Sequence, residues 1–173
     1  MKKIIAVLIC ALFVGHIYAQ SKTSLNTHSS VVFPTEPLEM KDKGMVMHLG
    51  YLDKNEKILG MAIAVDLGQD GIDSSFFNDK TNDSLFTALI VHNLGTKMDG
   101  ATLVSKAKAK VGNSRGLDLE YKIDNPTEDF PYKSVYMRGV FEGTNSYLLF
   151  VVSNDGTTAF PLKNQFFNSL KID

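Results

Sequence analysis

The second half of the chain alternates apolar and polar residues over successive runs, and this period of two constrains the fold more than any other feature. Asn113-Ser114 separates the first two runs, and Gly143-Thr144-Asn145 separates the last two. Such alternation is typical of β-strands with one face on a core, and short turns join neighbouring strands into antiparallel hairpins. Four runs are therefore predicted as strands: residues 103–111, 117–123, 134–142 and 147–154.

The first half of the chain predicts a further hairpin. Residues 45–52 and 57–67 are rich in apolar residues, and the polar segment 53–56 between them favours a turn. In the second run, large and small residues fall on opposite faces. We expect the face with Leu59, Met61, Ile63 and Val65 to point to the core, and the face with Ile58, Gly60, Ala62 and Ala64 to lie under a helix.

Val31-Val32-Phe33 is predicted as a short edge strand. Pro34 and Pro37 follow it closely, and proline has no N–H with which to pair in the middle of a sheet.

Two segments are predicted as helices, 82–94 and 158–168, and residues 169–172 add a final strand. The total of about seven strands and two helices predicts an α+β fold, a mostly antiparallel sheet of six or seven strands covered by helices. In the second helix three phenylalanines are expected to face the core: Phe160, Phe166 and Phe167.

The N-terminus has the order of a secretory signal peptide. Lys2 and Lys3 precede the apolar run Ile4–Val14, and Ala19 offers a cleavage site. The run is short for a membrane span, although a retained anchor is the alternative. We predict a signal peptide over 1–19, a flexible polar leader over 20–30 and a single α+β domain over 31–173. This order predicts export to the periplasm or the extracellular space of a bacterial cell envelope.

Composition after cleavage argues against several function classes. The single cysteine, Cys10, is lost with the signal peptide, which excludes disulfides, thiol catalysis and thiolate metal sites. Sixteen basic and nineteen acidic residues remain, a mild acidity that argues against nucleic-acid binding. No later apolar run is long enough for a transmembrane segment.

Three lysines alternate with alanines in one predicted strand. Their spacing of two places all three on one face, which we expect to be solvated. A phosphate- or membrane-binding patch is the alternative interpretation. The residues are Lys106, Lys108 and Lys110.

The pattern of the whole domain resembles a known fold. It opens with Val32-Phe33-Pro34-x-x-Pro37, its late hairpins begin at Gly116-x-x-Leu119-Glu120, and it ends with Tyr147-x-Leu149-Phe150-Val151-Val152 and Phe166-Phe167-Asn168-Ser169-Leu170-Lys171-Ile172. Over 31–173 this resembles small exported bacterial proteins of the Mog1/PsbP-like fold. The resemblance implies an antiparallel sheet between helices and an accessory or binding role. PsbP assists a photosynthetic membrane complex and Mog1 binds a small GTPase, but the sequence has no motif for either role.

Metal and calcium sites are not predicted. His28, His48 and His92 have no partners at ligand spacing, and His48 is expected to be an exposed or half-buried strand residue. The aspartates of 66–73 loosely resemble a calcium loop, but its third and twelfth positions hold Gly68 and Phe77. A solvated turn is the simpler interpretation.

Catalytic signatures are also missing from the sequence. No Gly-x-Ser-x-Gly occurs. Glu120 and Glu142 could face each other as a glycosidase pair, but ordinary outward charges are the simpler interpretation. We therefore predict no catalytic residue and no cofactor.

Arg138 is the most informative single residue. It lies in a predicted strand with Tyr136 on the same face, and an arginine there can form a two-pronged ion pair with a carboxylate, either Glu120 or Asp118. Either this pair is structural, or Arg138 binds an anionic ligand or a partner's acid. The candidate ligand-binding residues are Arg138, Tyr136, Glu120, Tyr51 and His48.

The sequence favours an exported binding or accessory module with an unidentified protein partner or small-molecule ligand. A hydrolase-type enzyme with an unrecognised site is one alternative, and an envelope-maintenance protein that acts only through protein contacts is another. A pocket lined by Tyr51, His48 and Arg138 would favour ligand binding or catalysis. A flat, exposed apolar patch would favour protein contacts.

Overall fold

The structure is a computed structural model that describes residues 20–42, 45–70 and 100–173, together with positions 84, 87 and 88. The predicted signal peptide lies outside the described residues, and so does the predicted helix over 82–94 apart from those three positions.

The described residues form ten strands, one 3₁₀ turn and one long helix. In chain order these are β1 Ser21–Asn26, β2 Ser29–Phe33, β3 Leu38–Asp42, β4 Met45–Asp53, β5 Ile58–Asp66, the 3₁₀ turn Leu67–Asp70, β6 Ala101–Val111, β7 Ser114–Ile123, β8 Ser134–Glu142, β9 Asn145–Ser153, α1 Gly156–Asn168 and β10 Lys171–Ile172.

The strands form two antiparallel sheets. The large sheet has the order β3-β4-β5-β9-β8-β7-β6, and the small sheet has the order β1-β2-β10. The predicted hairpins β4–β5, β6–β7 and β8–β9 are all confirmed. After β5 the chain crosses to the far edge of the sheet, where it forms β6. It then returns strand by strand through β7 and β8, and β9 completes the sheet by pairing with β5.

Both faces of the large sheet carry buried apolar side chains. We call the face against α1 and the small sheet the inner face; its core includes Tyr147, Leu149 and Val151 of β9, packed with Phe33 of β2 and Phe166 of α1. The rings of Phe33 and Phe166 lie 4.9 Å apart, a separation typical of favourable aromatic pairs. The opposite, outer face has its own core of Ile63, Leu119, Tyr121, Ile123, Val135, Met137 and Phe150.

Residues 20–30, predicted as a flexible leader, instead form β1 and the start of β2. Leu25 and Thr23 point inward, and the backbone of β1 pairs with β2 from Ser21 to Asn26. The Asn26 amide also donates to the Tyr147 hydroxyl on β9 at 3.1 Å. The segment is ordered because it hydrogen-bonds and covers the inner face, although it has few apolar residues.

The predicted edge strand at 31–33 is also wrong in position. β2 lies between β1 and β10, so it is the central strand of the small sheet. Pro34 and Pro37 fall after the strand ends and remove no hydrogen bond from it.

The small-residue face of β5 is covered by strands rather than by a helix. Ala62 and Ala64 on this inner face are buried, and β1 packs against β5 and β4 there. A Cβ at Gly60 would lie 2.7 Å from the side chain of Leu52 on β4. A residue without a side chain is needed at Gly60 because the Leu52 side chain of the neighbouring strand fills the space over it.

The helix α1 begins two residues earlier than predicted because Asp155 caps it. The Asp155 carboxylate accepts from the Thr157 backbone N–H at 2.9 Å and from the Thr158 hydroxyl at 2.8 Å, and both contacts lower the pKa of Asp155. Phe166 and Phe167 enter the core as expected. Phe160 does not: it is 52% exposed, and the Lys163 ammonium lies 4.1 Å from its ring centre.

Leu25→Ala tests whether the N-terminal strand is part of the fold. Leu25 is 2% exposed, so its truncation should leave a cavity and reduce the free energy of unfolding by about 2 to 5 kcal/mol in urea denaturation. The matched control is Leu38→Ala, at a side chain that is 62% exposed, where we expect a change below about 0.5 kcal/mol. If both substitutions changed the free energy of unfolding by the same small amount, residues 20–30 would be a leader outside the folded core.

Candidate functional site

Arg138 forms the ion pair expected from the sequence, and its partner is Asp118 rather than Glu120. The two residues are directly opposite in β8 and β7. Arg138 Nε donates to Asp118 Oδ1 at 2.7 Å, and Nη2 donates to Oδ2 at 2.8 Å. The side chains are only 14% and 32% exposed, so this two-pronged pair is partly shielded from water.

The same guanidinium joins the large sheet to the end of α1. Nη1 donates to Asn168 Oδ1 at 3.1 Å, and the guanidinium carbon lies 5.1 Å from the centre of the Phe167 ring. Each of the three nitrogens therefore has a partner, and one face of the group rests on an aromatic ring. This geometry favours the structural interpretation of Arg138, because an anionic ligand would have to compete with Asp118.

Tyr136 and Glu120 lie beside this ion pair on the inner face. They are directly opposite in β8 and β7, and the Lys163 ammonium of α1 lies 5.1 Å from the centre of the Tyr136 ring. Burial raises the pKa of Tyr136, and the Glu120 carboxylate raises it further. Three of the five predicted site residues are therefore brought together on β7 and β8, where β8 lies against α1.

His48 lies in the same row across the inner face but far from Arg138. The register runs from His48 to Ala62, Leu149 and Arg138, which is three strand spacings or roughly 14 Å. Tyr51 is exposed and points to the outer face. Tyr51, His48 and Arg138 therefore do not line a common pocket, the arrangement that would have favoured ligand binding or catalysis at these residues.

His48 is buried, in contrast to the exposed or half-buried position expected from the sequence. β1 covers it, and its Nε2 has no hydrogen-bond partner among the described residues and lies 4.0 Å from Glu39 Oε2. Burial lowers the pKa of His48, while the Glu39 carboxylate and the Ser24 backbone oppose this shift. The imidazole is therefore held in its neutral form at neutral pH.

The two other candidate chemistries find no support in the described parts of the chain. Glu120 and Glu142 both point to the inner face, but six residues of strand register separate their rows, roughly 20 Å. That distance exceeds the separation of a glycosidase pair. Among the described residues no group of three or more acidic, histidine or cysteine side chains could hold a metal ion. His92 and residues 71–73 of the suggested calcium loop lie outside these residues.

A pocket that the sequence did not predict opens between α1, β2 and the end of β4. It encloses about 120 Å³ and is partly open to solvent, so it is smaller than a drug-sized site and has room for one ring or a short alkyl chain. Strand alternation alone could not reveal it, because its walls come from three segments distant in sequence. We call this the strand–helix pocket; it is lined by Gln20, Val32, Pro34, Leu52, Leu162, Gln165, Phe166 and Ser169.

Comparison with solved structures identifies the fold. The solution structure of cyanobacterial PsbP (CyanoP) from Synechocystis sp. PCC 6803 matches with a TM-score of 0.61 and 12% identity, over 92% of this chain and 95% of that chain. The fold is PsbP-like. A crystal structure from Bacteroides thetaiotaomicron VPI-5482 matches 89% of this PsbP-like chain with a TM-score of 0.50 and 14% identity, and the match spans 49% of that protein. No family model and no curated protein matches the sequence.

The resemblance noted from the sequence is thereby confirmed for the fold. At 12% to 14% identity the likeness concerns architecture alone. Within the described residues, the structure has no helix long and apolar enough to cross a membrane.

A double-mutant cycle on Asp118 and Arg138 tests the structural role of the ion pair. Asp118→Ala should leave a half-buried guanidinium without its carboxylate, and we expect a coupling free energy of roughly 1 to 3 kcal/mol with Arg138→Ala in urea denaturation. The control cycle uses the exposed pair Lys122 and Asp124, at 3.1 Å, where the coupling should stay below about 1 kcal/mol. A coupling free energy near zero between Asp118 and Arg138 would contradict the structural role and favour Arg138 as a ligand-binding residue.

His48 should make stability depend on pH. Its pKa in the folded protein lies below the ordinary 6.5, so between these two values the unfolded chain binds more protons than the folded one. The free energy of unfolding should therefore fall as pH drops below 6.5, with a slope of at most about 1.4 kcal/mol per pH unit. Denaturant titrations from neutral to acidic pH should show this slope reduced in His48→Gln and retained in the exposed control His28→Gln. A His48→Gln slope equal to that of the unmodified protein contradicts the assignment.

Proposed function

We propose that this chain is an exported accessory or binding module that acts through non-covalent contacts at the strand–helix pocket. The observation that supports this proposal is the pocket itself, a partly open apolar cavity of about 120 Å³ where α1 meets β2 and β4, with room for one ring or a short alkyl chain of a ligand.

The pocket walls favour a largely aliphatic ligand with one polar group. Val32, Leu52, Leu162 and Phe166 provide apolar surface. The Ser169 hydroxyl is already engaged, because it donates to the Phe166 carbonyl at 2.7 Å and accepts from the Val32 N–H at 3.0 Å. The side-chain amides that remain for a ligand belong to Gln165 and Gln20, so an amide, hydroxyl or carboxyl group on the ligand would match them.

Export is part of the proposal. Gln20 is the first residue after the predicted cleavage site, and it lies on the pocket wall. Removal of residues 1–19 would place the new N-terminus at the pocket, where its ammonium would add a positive charge.

We also retain the predicted helical layers as part of this proposal: α1 lies on the inner face, and residues 82–94 are the sequence-predicted helix for the other face.

Gln165→Trp tests the pocket directly. Gln165 is exposed on the pocket rim, and an indole there should obstruct the opening and weaken binding of 1-anilinonaphthalene-8-sulfonate, an apolar anionic probe, at least tenfold in isothermal titration calorimetry. The matched control is Thr157→Trp, which adds the same side chain to an exposed position of α1 away from the pocket. Equal probe affinities in the two variants would exclude the pocket as the binding site.

A second candidate function, protein contact alone, is favoured by an apolar patch on the outer face. Leu38 and Met40 of β3 and Tyr51 of β4 are exposed there, next to half-buried methionines of β4 and β5. Native mass spectrometry of the protein purified gently from its own envelope fraction separates the two functions. A retained small molecule supports the pocket, whereas a bare chain with a specific protein partner supports the patch.

A further inference from the structure

Charges separate by face at the β6 end of the large sheet. Asp118, Glu120 and Glu142 point to the inner face together with Tyr136 and Arg138. In the neighbouring β6, Lys106 and Lys108 pair with Leu119 and Leu117, which belong to the outer face, and Lys110 pairs with Arg115 on that same face. The acids of β7 and β8 therefore do not share a face with the lysines of β6.

The three β6 lysines are exposed and have no ion-pair partner within the described parts of the chain. They recur at every second residue of an extended strand, so their positions are roughly 7 Å apart along one line. The chain as a whole has a formal net charge of −1, which makes this row a local positive feature on a nearly neutral molecule.

Two aliphatic side chains continue the same edge. Leu103 is 37% exposed and shares the outer face with the lysines, and Val104 is 58% exposed. The register between β6 and β7 shifts between Leu103 and Ser105, so Val104 is the extra residue of a β-bulge. β6 is the last strand of the sheet, and nothing pairs with its outer edge among the described residues. We call Leu103, Val104, Lys106, Lys108 and Lys110 the basic edge.

We propose that the basic edge docks this protein on an anionic lipid surface. Lysines near such a surface are attracted by its negative potential, and aliphatic side chains beside them can enter the apolar boundary of the headgroups. Protein interfaces differ in composition, because they concentrate aromatic and arginine side chains and are depleted in lysine. The basic edge contains three lysines, one leucine and one valine, and no aromatic side chain.

Lysines on an edge strand also prevent pairing with other chains, and the proposal must be distinguished from that role. Lysines that only prevented pairing with other chains would not require exposed aliphatic side chains such as Leu103 and Val104 on the same edge. The two roles differ in what happens when the lysines are neutralised: loss of protection gives aggregation, whereas loss of docking changes lipid binding by a monomer.

The test is vesicle co-sedimentation with the full chain as purified. Vesicles of phosphatidylcholine, with and without phosphatidylglycerol, are compared for the unmodified protein and for the triple variant Lys106→Gln, Lys108→Gln and Lys110→Gln. The matched control, Lys54→Gln, Lys133→Gln and Lys171→Gln, removes the same charge from exposed lysines elsewhere. Any binding by the apolar N-terminal residues is common to all three proteins and cancels in the comparison.

We expect the unmodified protein and the control to bind phosphatidylglycerol vesicles with an affinity that falls as salt is added. The basic-edge variant should bind about a hundredfold more weakly, since three lysines each lose their attraction to the surface. Leu103→Ser with Val104→Ser should weaken binding with the salt dependence retained. Circular dichroism melts and light scattering show whether each variant is folded and monomeric.

Several outcomes would overturn the proposal. The two triple variants could lose binding equally, or the unmodified protein could bind both kinds of vesicle equally. Aggregation of the basic-edge variant with unchanged vesicle binding would assign the lysines to edge protection. Lysine-dependent binding to poly-glutamate without binding to phosphatidylglycerol vesicles would assign the edge to an acidic protein. None of these results affects the strand–helix pocket, whose probe titration is independent.

Discussion

Antiparallel pairing between β5 and β9 is the interaction on which the rest of the structure depends. It joins the β3–β5 segment, from the first half of the chain, to the β6–β9 meander of the second half, through eight successive residue pairs from Leu59–Val152 to Asp66–Asn145. Because the sheet is continuous across this seam, Ala62 and Ala64 lie beside Leu149 and Tyr147 on one inner face. α1 and the small sheet then bury that face as a single core. The strand–helix pocket exists because these two covering elements meet over β4.

The hairpins could be predicted from the sequence because each is specified locally. Alternation fixes which side chains share a face, and short polar turns fix which strands are neighbours. The N-terminal strand could not be predicted in this way. The buried positions of 20–30 include Thr23 in β1 and Ser29 and Ser30 in β2, and Leu25 is the only large apolar residue of this segment. The backbones of the two strands pair with each other, and the Ser29 hydroxyl donates to Asn26 Oδ1 at 2.8 Å. Order there comes from partners distant in sequence.

The candidate site shows the same division between local and distant information. Arg138 and Asp118 are opposite each other within one pair of adjacent strands, so their ion pair was among the two that sequence reasoning identified. The position of His48 relative to Arg138 depends on the strand order, in which β5 and β9 lie between β4 and β8. The residues next to His48 and Arg138 in the sequence carry no information about this strand order. The burial of His48 depends in turn on β1, the segment that looked like a leader, so one wrong interpretation produced the other.

The pocket and the basic edge lie at opposite ends of the large sheet and on opposite faces, so occupation of one does not obstruct the other. The pocket is at the β4 end, where two layers meet and leave an apolar gap between them. The basic edge is at the β6 end, where the sheet stops and its last strand is exposed. Between them, the Arg138 ion pair fixes the end of α1 on the sheet. A surface bound at β6 would therefore contact a rigid sheet whose far end leaves the pocket open to solvent.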